Sequence, residues 1–325
     1  MSVRKKSFFY IIALILLLAL FPVGGFSAWT WESGIRWFYL FIIATFIGAV
    51  LTPLTMVLAR RIGAMDYPGD RKIHSKVVPR LGGLAVYAAF IFTVIRSYQF
   101  CNEVIGILIG ATIIFILGVV DDIKNLTART RLFWQFAASL IVVFSGLHVS
   151  FTGQMVFGKI FSYAISVIWL VGITNAFNFM DGIDGLALSM GAICSLLFLG
   201  IAWNSDQYMV SFLSASLAGG CIGLLQANWR PAKVFLGDGG STFIGFILAC
   251  LALAGSWATN NTIVALSTPI LILGIPIFDI IYTTISRMKN GKITNVREWL
   301  EYASTDHFHH RLMNLGLGVE STVGF

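Results

Sequence analysis

The residues able to do chemistry stand in a few short clusters. Asp121 and Asp122 are adjacent in Gly118-Val-Val-Asp-Asp-Ile-Lys-Asn-Leu. Neighbouring carboxylates repel, and Mg²⁺ or a basic side chain relieves that cost. Asn175-Ala-Phe-Asn-Phe-Met-Asp-Gly-Ile-Asp-Gly185 packs two Asn, two Asp and two Gly into eleven residues. Its amide and carboxylate oxygens suit a hard cation or a nucleobase edge, and its glycines let backbone approach a ligand closely. Phe235-Leu-Gly-Asp-Gly-Gly-Ser241 sets the single carboxylate of Asp238 in a glycine-rich turn. That turn alone is a weak phosphate signal, because the lysine of a P-loop is missing.

Two further segments are donor-rich. Arg71-Lys72-Ile-His74-Ser-Lys76, running on through Pro79-Arg80-Leu-Gly-Gly83, suits an anionic lipid head group. His307-Phe-His-His310, with Arg311 alongside, suits phosphate better than zinc, since the chain has neither a matching cysteine set nor an HExxH segment. Each cluster also has a plainer reading: a solvated helix end, an Asn/Gly turn, or ordinary charge flanking a membrane span. Asp279, about two turns inside an apolar run, is expected to be a structural hydrogen-bond partner and receives no role.

The elements that must position these clusters are transmembrane helices. The chain of 325 residues is 57% hydrophobic and only 11% charged, with a mean hydropathy of +0.84. A soluble domain carries about 25% charged residues, so this chain cannot cover its surface in water. Disorder, collagen and a disulfide scaffold are excluded by the same numbers. Cys101, Cys194, Cys221 and Cys250 show no paired spacing and read as packing residues.

Ten runs approach the roughly 20 apolar residues a span needs: Phe8–Val23, Trp37–Leu58, Leu81–Ile95, Val104–Val120, Leu132–Leu147, Phe161–Phe177, Leu186–Trp203, Met209–Gln226, Thr242–Trp257 and Ile263–Ile285. The fold class is therefore an all-α integral membrane protein, a polytopic bundle of about 10 transmembrane helices. Residues 1–35 are expected to form a membrane anchor or a signal-like helix, and 36–325 one polytopic domain. With the N-terminus inside and the sides alternating, 19 of the 22 lysines and arginines fall inside, leaving Arg36, Arg96 and Lys159 outside. The net charge of +7 is thus topological and no nucleic acid is expected as a partner.

Eleven of the fifteen acidic residues share that inside face, as do four of the five histidines. A transporter would gather ionisable groups near the bilayer midplane. Here they collect at helix ends on one side, which points to catalytic loops at the cytoplasmic surface of the inner membrane. Acidic groups binding Mg²⁺, with Mn²⁺ as the alternative ion, and basic groups holding two anionic substrates describe phosphoryl transfer, which needs mainly positioning and charge neutralisation. Membrane placement makes one of those substrates a lipid phosphate.

Five motifs on the inside face, Asp66-Tyr-Pro-Gly-Asp-Arg-Lys-Ile-His74 with Pro79–Gly83, Asp121-Asp122, Asn175–Gly185, Phe235–Ser241 and Asp306-His-Phe-His-His-Arg-Leu312, carry a family resemblance from about Trp37 to Leu315. The chain resembles the polyprenyl-phosphate N-acetylhexosamine-1-phosphate transferases, glycosyltransferase family 4. The resemblance implies transfer of a sugar-1-phosphate from a UDP-N-acetylhexosamine to undecaprenyl phosphate, with release of UMP. The Arg-Lys-Ile-His segment and the Asp-His-Phe-His-His-Arg-Leu tail look like the branch that uses UDP-N-acetylglucosamine and starts cell-envelope glycans such as teichoic acid or O-antigen. The alternative branch, which transfers phospho-MurNAc-pentapeptide, ends this region with three histidines and an acidic residue.

The resemblance also implies roles. Asp238 matches a magnesium ligand that Asn178 joins, Phe235 an aromatic that stacks on uracil, and Asp184 a hydrogen-bond partner of the base, with Asn175 in the same substrate-binding loop. Asp121 and Asp122 match the acidic pair that positions or deprotonates the lipid phosphate, and Asp181 a further essential carboxylate. His307, His309, His310 and Arg311 match a loop closing over the diphosphate, and Lys72 or Lys76 a contact to the polyprenyl phosphate. Arg131 stands where many members have lysine, which alters its phosphate contact. The run Phe8–Val23 is additional to the family's usual first helix. The family usually continues past the histidine loop, so a chain ending at Phe325 is expected to lack its last helices. A non-catalytic membrane scaffold or lipid-linked-sugar transporter is the rival class. It has no need to keep Asp121, Asp122, Asp181 and Asp238 together. A glycosyltransferase that leaves UDP is separable by its nucleotide product.

Overall fold

The computed structural model describes residues 30–68, 76–97, 100–149, 156–258, 262–291, 293, 307–316 and 318–324. The run Phe8–Val23 and the side chains of Lys72, His309 and His310 lie outside them. In chain order the elements are α1 (Arg36–Ile62), β1 (Met65–Asp66), β2 (Val78–Pro79), α2 (Gly83–Arg96), α3 (Asn102–Lys124), α4 (Ala128–Phe144), α5 (Val156–Met180) and α6 (Leu186–Asn204). They continue with α7 (Tyr208–Asn228), α8 (Gly237–Ala254), α9 (Thr262–Ile272), α10 (Gly274–Lys289), α11 (Phe308–Asn314) and α12 (Val319–Gly324).

The chain is an all-α membrane protein, and all nine described apolar runs contain helix. Six helices are long and apolar enough to cross a bilayer, α1, α3, α5, α6, α7 and α8, and a bent pair brings the number to at most seven. Two expectations about spans are corrected. The run Ile263–Ile285 is not one straight helix but α9 and α10, bent by 80°. The break falls just before Gly274-Ile275-Pro276. Proline supplies no amide to the preceding turn, which weakens the helix where it bends. The runs around α2 and α4 give helices of 14 and 17 residues, shorter than a full crossing needs.

The core is built on α8, whose side chains from Phe243 to Leu251 are wholly buried apart from the missing side chain of Gly245. Glycines set how closely the helices approach. A Cβ on Gly83 would collide with the backbone of Gly240, and one on Gly118 would lie 2.5 Å from the Cα of Gly239. The start of α8 is therefore wedged between α2 and α3. On the far side, Gly219 and Gly223 of α7 let α1 lie against backbone, the small-residue packing that membrane helices favour. Apolar side chains such as Phe133, Phe144, Phe157 and Leu271 stay exposed, as a lipid-facing surface requires.

The two-residue ribbon pairs Met65 with Pro79 and Asp66 with Val78. Three further hydrogen bonds lace it to the start of α8: Phe235 N to Pro79 O at 2.8 Å, Gly82 N to Phe235 O at 2.9 Å and Gly83 N to Leu236 O at 2.8 Å.

Candidate active site

The acidic clusters Asp121–Asp122, Asp181–Asp184 and Asp238, which the hydropathy alternation assigns to the inside, converge at one end of the bundle. The neighbours Asp121 and Asp122, one residue apart on α3, face different ways. Asn125 takes a left-handed conformation (φ 50°) and ends α3, which asparagine tolerates. The turn that follows lets Leu126 N donate to Asp121 Oδ1 at 2.6 Å, and Arg131 Nη1 on α4 donates to Asp121 Oδ2 at 3.1 Å. Arg131 thus acts on Asp121.

Asp122 reaches across to α8. Its Oδ1 accepts from Asp238 N at 3.0 Å and its Oδ2 from Gly239 N at 3.2 Å. It caps a helix start that has no side-chain cap of its own. Gly237 at that start has φ 78°, with the Arg80 carbonyl and the Asp122 carboxylate where a side chain would begin. The glycines of this turn serve helix packing, and two of its amides are spent on Asp122.

Asp238 is the open carboxylate of the set. Its side chain is 25% exposed, against 1% for Asp122. Its Oδ1 accepts from Asn178 Nδ2 at 3.2 Å and from Arg80 Nη2 at 3.1 Å. Asn178 is further held by donation to Ser241 Oγ at 2.8 Å. Arg80 also pairs through Nε with Asp122 Oδ1 at 3.0 Å, so one guanidinium ties the two carboxylates together.

Arg80 was legible as part of a basic segment suited to an anionic lipid head group, and its role as a bridge between carboxylates had no signal in sequence. Burial opposes its charge, but Asp238, Asp122, Asp66 and Asp181 together outweigh that and hold it above its ordinary pKa. Asp181 keeps part of its surface open. Even so, the protein atoms around it strip away enough water to push its carboxyl well above the usual range. Arg80 pulls the other way, and Asp238, Asp122 and Asp184 add to the rise.

The loop carrying Asp181 and Asp184 is docked on the loop between α7 and α8. Asn228 Oδ1 accepts from Gly185 N at 3.0 Å, Asn228 Nδ2 donates to Val234 O at 2.9 Å, and Ala232 N donates to Asp184 Oδ2 at 3.1 Å. Phe235, half-buried, follows directly in that loop. Asn175 sits a turn deeper on α5. There it exchanges hydrogen bonds with Gln135 of α4 at 2.7 and 3.3 Å and donates to Val171 O. Lys76 is exposed at the rim.

The histidine segment has an anchor the sequence reading left without a role. Asp279 of α10, buried, holds His307 Nδ1 at 2.7 Å and accepts from Phe308 N at 2.6 Å. Arg287 Nη2 lies 3.3 Å from His307 Nε2, and Phe179 stacks on the ring. Arg311 donates to Tyr282 OH at 3.0 Å and lies over that ring. α11 is thereby fixed along one face of α10. A lone carboxylate in an apolar run was the available signal, but its partner is 28 residues away.

Three polar loops, one bridging arginine and an open carboxylate at one membrane face can hold a phosphorylated nucleotide beside a lipid head group. A sequence model, glycosyl transferase family 4, matches residues 104–256. A Bacillus subtilis (strain 168) protein, named "Probable undecaprenyl-phosphate N-acetylglucosaminyl 1-phosphate transferase", is 34% identical over 298 residues, covering 90% of this chain and 81% of that protein. This chain belongs to glycosyl transferase family 4. Two further relatives match at lower identity. The "Decaprenyl-phosphate N-acetylglucosaminephosphotransferase" of Mycobacterium tuberculosis (strain ATCC 25618 / H37Rv) is 29% identical over 309 residues, 85% of this chain and 75% of its own. The "Undecaprenyl-phosphate alpha-N-acetylglucosaminyl 1-phosphate transferase" of Escherichia coli (strain K12) is 28% identical over 273 residues, 80% and 71% of the two chains. The family model spans α3 to α8 and so contains Asp121, Asp122, Asn178, Asp181, Asp184 and Asp238. Arg80 and the α10–α11 anchor lie outside it.

Proposed function

We infer that this chain transfers N-acetylglucosamine-1-phosphate from UDP-N-acetylglucosamine to undecaprenyl phosphate or another polyprenyl phosphate. UMP is released at the cytoplasmic face of the inner membrane, and a cell-envelope glycan is begun. The observation that carries this reading is the meeting of Asp122, Asp238, Asn178 and Arg80, from four separate segments, at one end of a membrane bundle of this family.

In the reaction an oxygen of the lipid phosphate forms a bond to the β-phosphorus of the UDP-sugar. The bond from that phosphorus to the bridging oxygen breaks, and UMP leaves with it. A phosphate monoester has a second pKa of about 6, so the nucleophile is already largely ionised near neutrality. A strong general base is therefore dispensable, and the aspartates act on position and charge. Asp122 fixes the start of α8 and so aims Asp238. Asp121 fixes the turn that presents Arg131. Phe235 stacks on uracil and Asp184 meets the base, close to where their loops are pinned together. Lys72 or Lys76 holds the acceptor phosphate, and the histidine segment with Arg311 closes over the diphosphate.

The donors suit Mg²⁺. They are oxygens only, from Asp238 and Asn178 with Asp181 nearby, and Mg²⁺ typically takes one or two carboxylates and leaves its other positions to water and substrate phosphate. Among the described residues no group of three or more His, Cys, Asp or Glu could hold a metal ion. An ion shared with substrate phosphate does not require one. Bound Mg²⁺ would supply neutralisation of the diphosphate charge. The test is to incubate the purified chain with undecaprenyl phosphate and UDP-N-acetylglucosamine, with Mg²⁺ and with EDTA. UMP and a new lipid-linked sugar are expected with Mg²⁺ alone. UDP as the product would overturn the reaction assigned here, and full turnover in EDTA would overturn the metal.

A further inference from the structure

We propose that Arg80 is a substrate-binding residue that exchanges partners during turnover. Before nucleotide binds it holds Asp122 and Asp238 together in place of a divalent cation. When cation and nucleotide arrive it keeps Asp122, releases Asp238 and turns to the diphosphate. The proposal rests on the transfer reaction inferred above and names a group that reaction has not yet been given.

The two halves of the bridge are unequal. Asp122 has two α8 amides besides Arg80 and is 1% exposed, so its pairing with Nε is enclosed. Asp238 Oδ1 has Nη2 of Arg80 and one amide of Asn178, and its side chain is 25% exposed. The exchangeable half is therefore the half open to the cleft, where the Arg80 side chain is itself 32% exposed.

The backbone beneath Arg80 cannot follow a swing. Its amide donates to Ala64 O at 2.9 Å, and Phe235 grips the residues on either side through Pro79 O and Gly82 N. The side chain is left to move, on a backbone laced to the segment that carries Phe235. A cation placed on Asp238 would stand within a few ångströms of Nη2 and repel it, while a diphosphate would draw it outward. A guanidinium fork is suited to two phosphate oxygens at once.

Opposite changes in two affinities follow for Arg80→Gln. Mg²⁺ alone is expected to bind about fivefold more tightly, because a competing positive charge is gone. UDP-N-acetylglucosamine in saturating Mg²⁺ is expected to bind about tenfold more weakly, because a charged hydrogen-bond donor is gone. Arg80→Lys keeps the charge and loses the fork, so it should leave Mg²⁺ binding near that of the unaltered chain and lose less nucleotide affinity. An arginine that only supports the fold would weaken both.

The measurement is calorimetry on the full chain in nanodiscs, first with Mg²⁺ alone and then with UDP-N-acetylglucosamine at saturating Mg²⁺. Tighter Mg²⁺ with weaker nucleotide supports the exchange. Unchanged Mg²⁺ affinity, or a loss of both with an unchanged melting temperature, overturns it. If Arg80→Gln does not fold, Arg80→Lys decides by whether nucleotide is lost with Mg²⁺ binding retained. If the unaltered chain binds no UDP-N-acetylglucosamine, the reaction assignment falls, and the Mg²⁺ arm alone then decides whether Arg80 competes with the cation.

Discussion

Asp121 and Asp238 both bring a carboxyl group to the same membrane face, yet the same change should cost very different amounts. Asp121→Asn loosens a turn and an ion pair to the half-exposed Arg131, and a rate loss of only a few fold is expected. Asp238→Asn removes the open carboxylate, and a loss of about a thousandfold is expected from steady-state UMP release. The reverse order would restore proton abstraction by the acidic pair as the main effect. Asp181 makes a prediction about stability. Its carboxyl, crowded by protein atoms that strip away water, resists ionisation, so its charged form destabilises the fold. That cost is absent below the ordinary carboxyl range and grows as pH climbs from there toward the raised value. Asp181→Asn should therefore raise the melting temperature by about 2 °C at neutral pH in EDTA while lowering activity. Thermal unfolding at pH 5 and pH 8 checks the sign, since the gain should be larger at the higher pH. The carboxylates were legible from residue type and spacing. Which of two neighbours would cap α8 was not, because that depends on the approach of α3, fixed by Gly118 against Gly239.

The elements place these groups by contact. Gly118→Ala would drive a methyl group into the start of α8 and pull Asp122 from its amides. A destabilisation of about 1–3 kcal/mol is expected, with activity lost. Gly172→Ala is the control, because a Cβ there meets nothing within 4 Å, and its stability should be unchanged or slightly higher. On α10, Asp279→Ala leaves the Phe308 amide and His307 without their buried partner, at a cost of about 3 kcal/mol. Hydrogen exchange over residues 307–316 should quicken in that variant. The helices themselves were readable from apolar run length. The 80° bend was not, because hydropathy reports composition and not direction; Pro276 was the trace it left. The glycine-rich turn gave only a weak phosphate signal in sequence, and its close neighbours show the packing it serves.

Across the whole molecule, the charge alternation read from sequence assigns a side to every loop. Cys101 is the exposed thiol, beside Glu103 at the start of α3, and Cys194, Cys221 and Cys250 are buried. A membrane-impermeant maleimide added to intact spheroplasts should label the chain at Cys101. With Cys101→Ser as background, Lys233→Cys, exposed between α7 and α8, should react only after permeabilisation. Labelling of Lys233→Cys in intact cells would invert the topology. Long-range assembly was legible only this far. Charge bias told which loops share a face, and it took the bundle to show that Asn228, unremarked in sequence, staples two of them together.

The pairing of Asp122 with α8 has one more consequence, for inhibition. A helix that opens Gly-Asp-Gly-Gly offers bare amides and would ordinarily attract any small anion. Here a tethered carboxylate already occupies two of those donors, so a free phosphate or sulfate finds them taken. Discrimination against such bystanders at this helix start is then built into the resting protein.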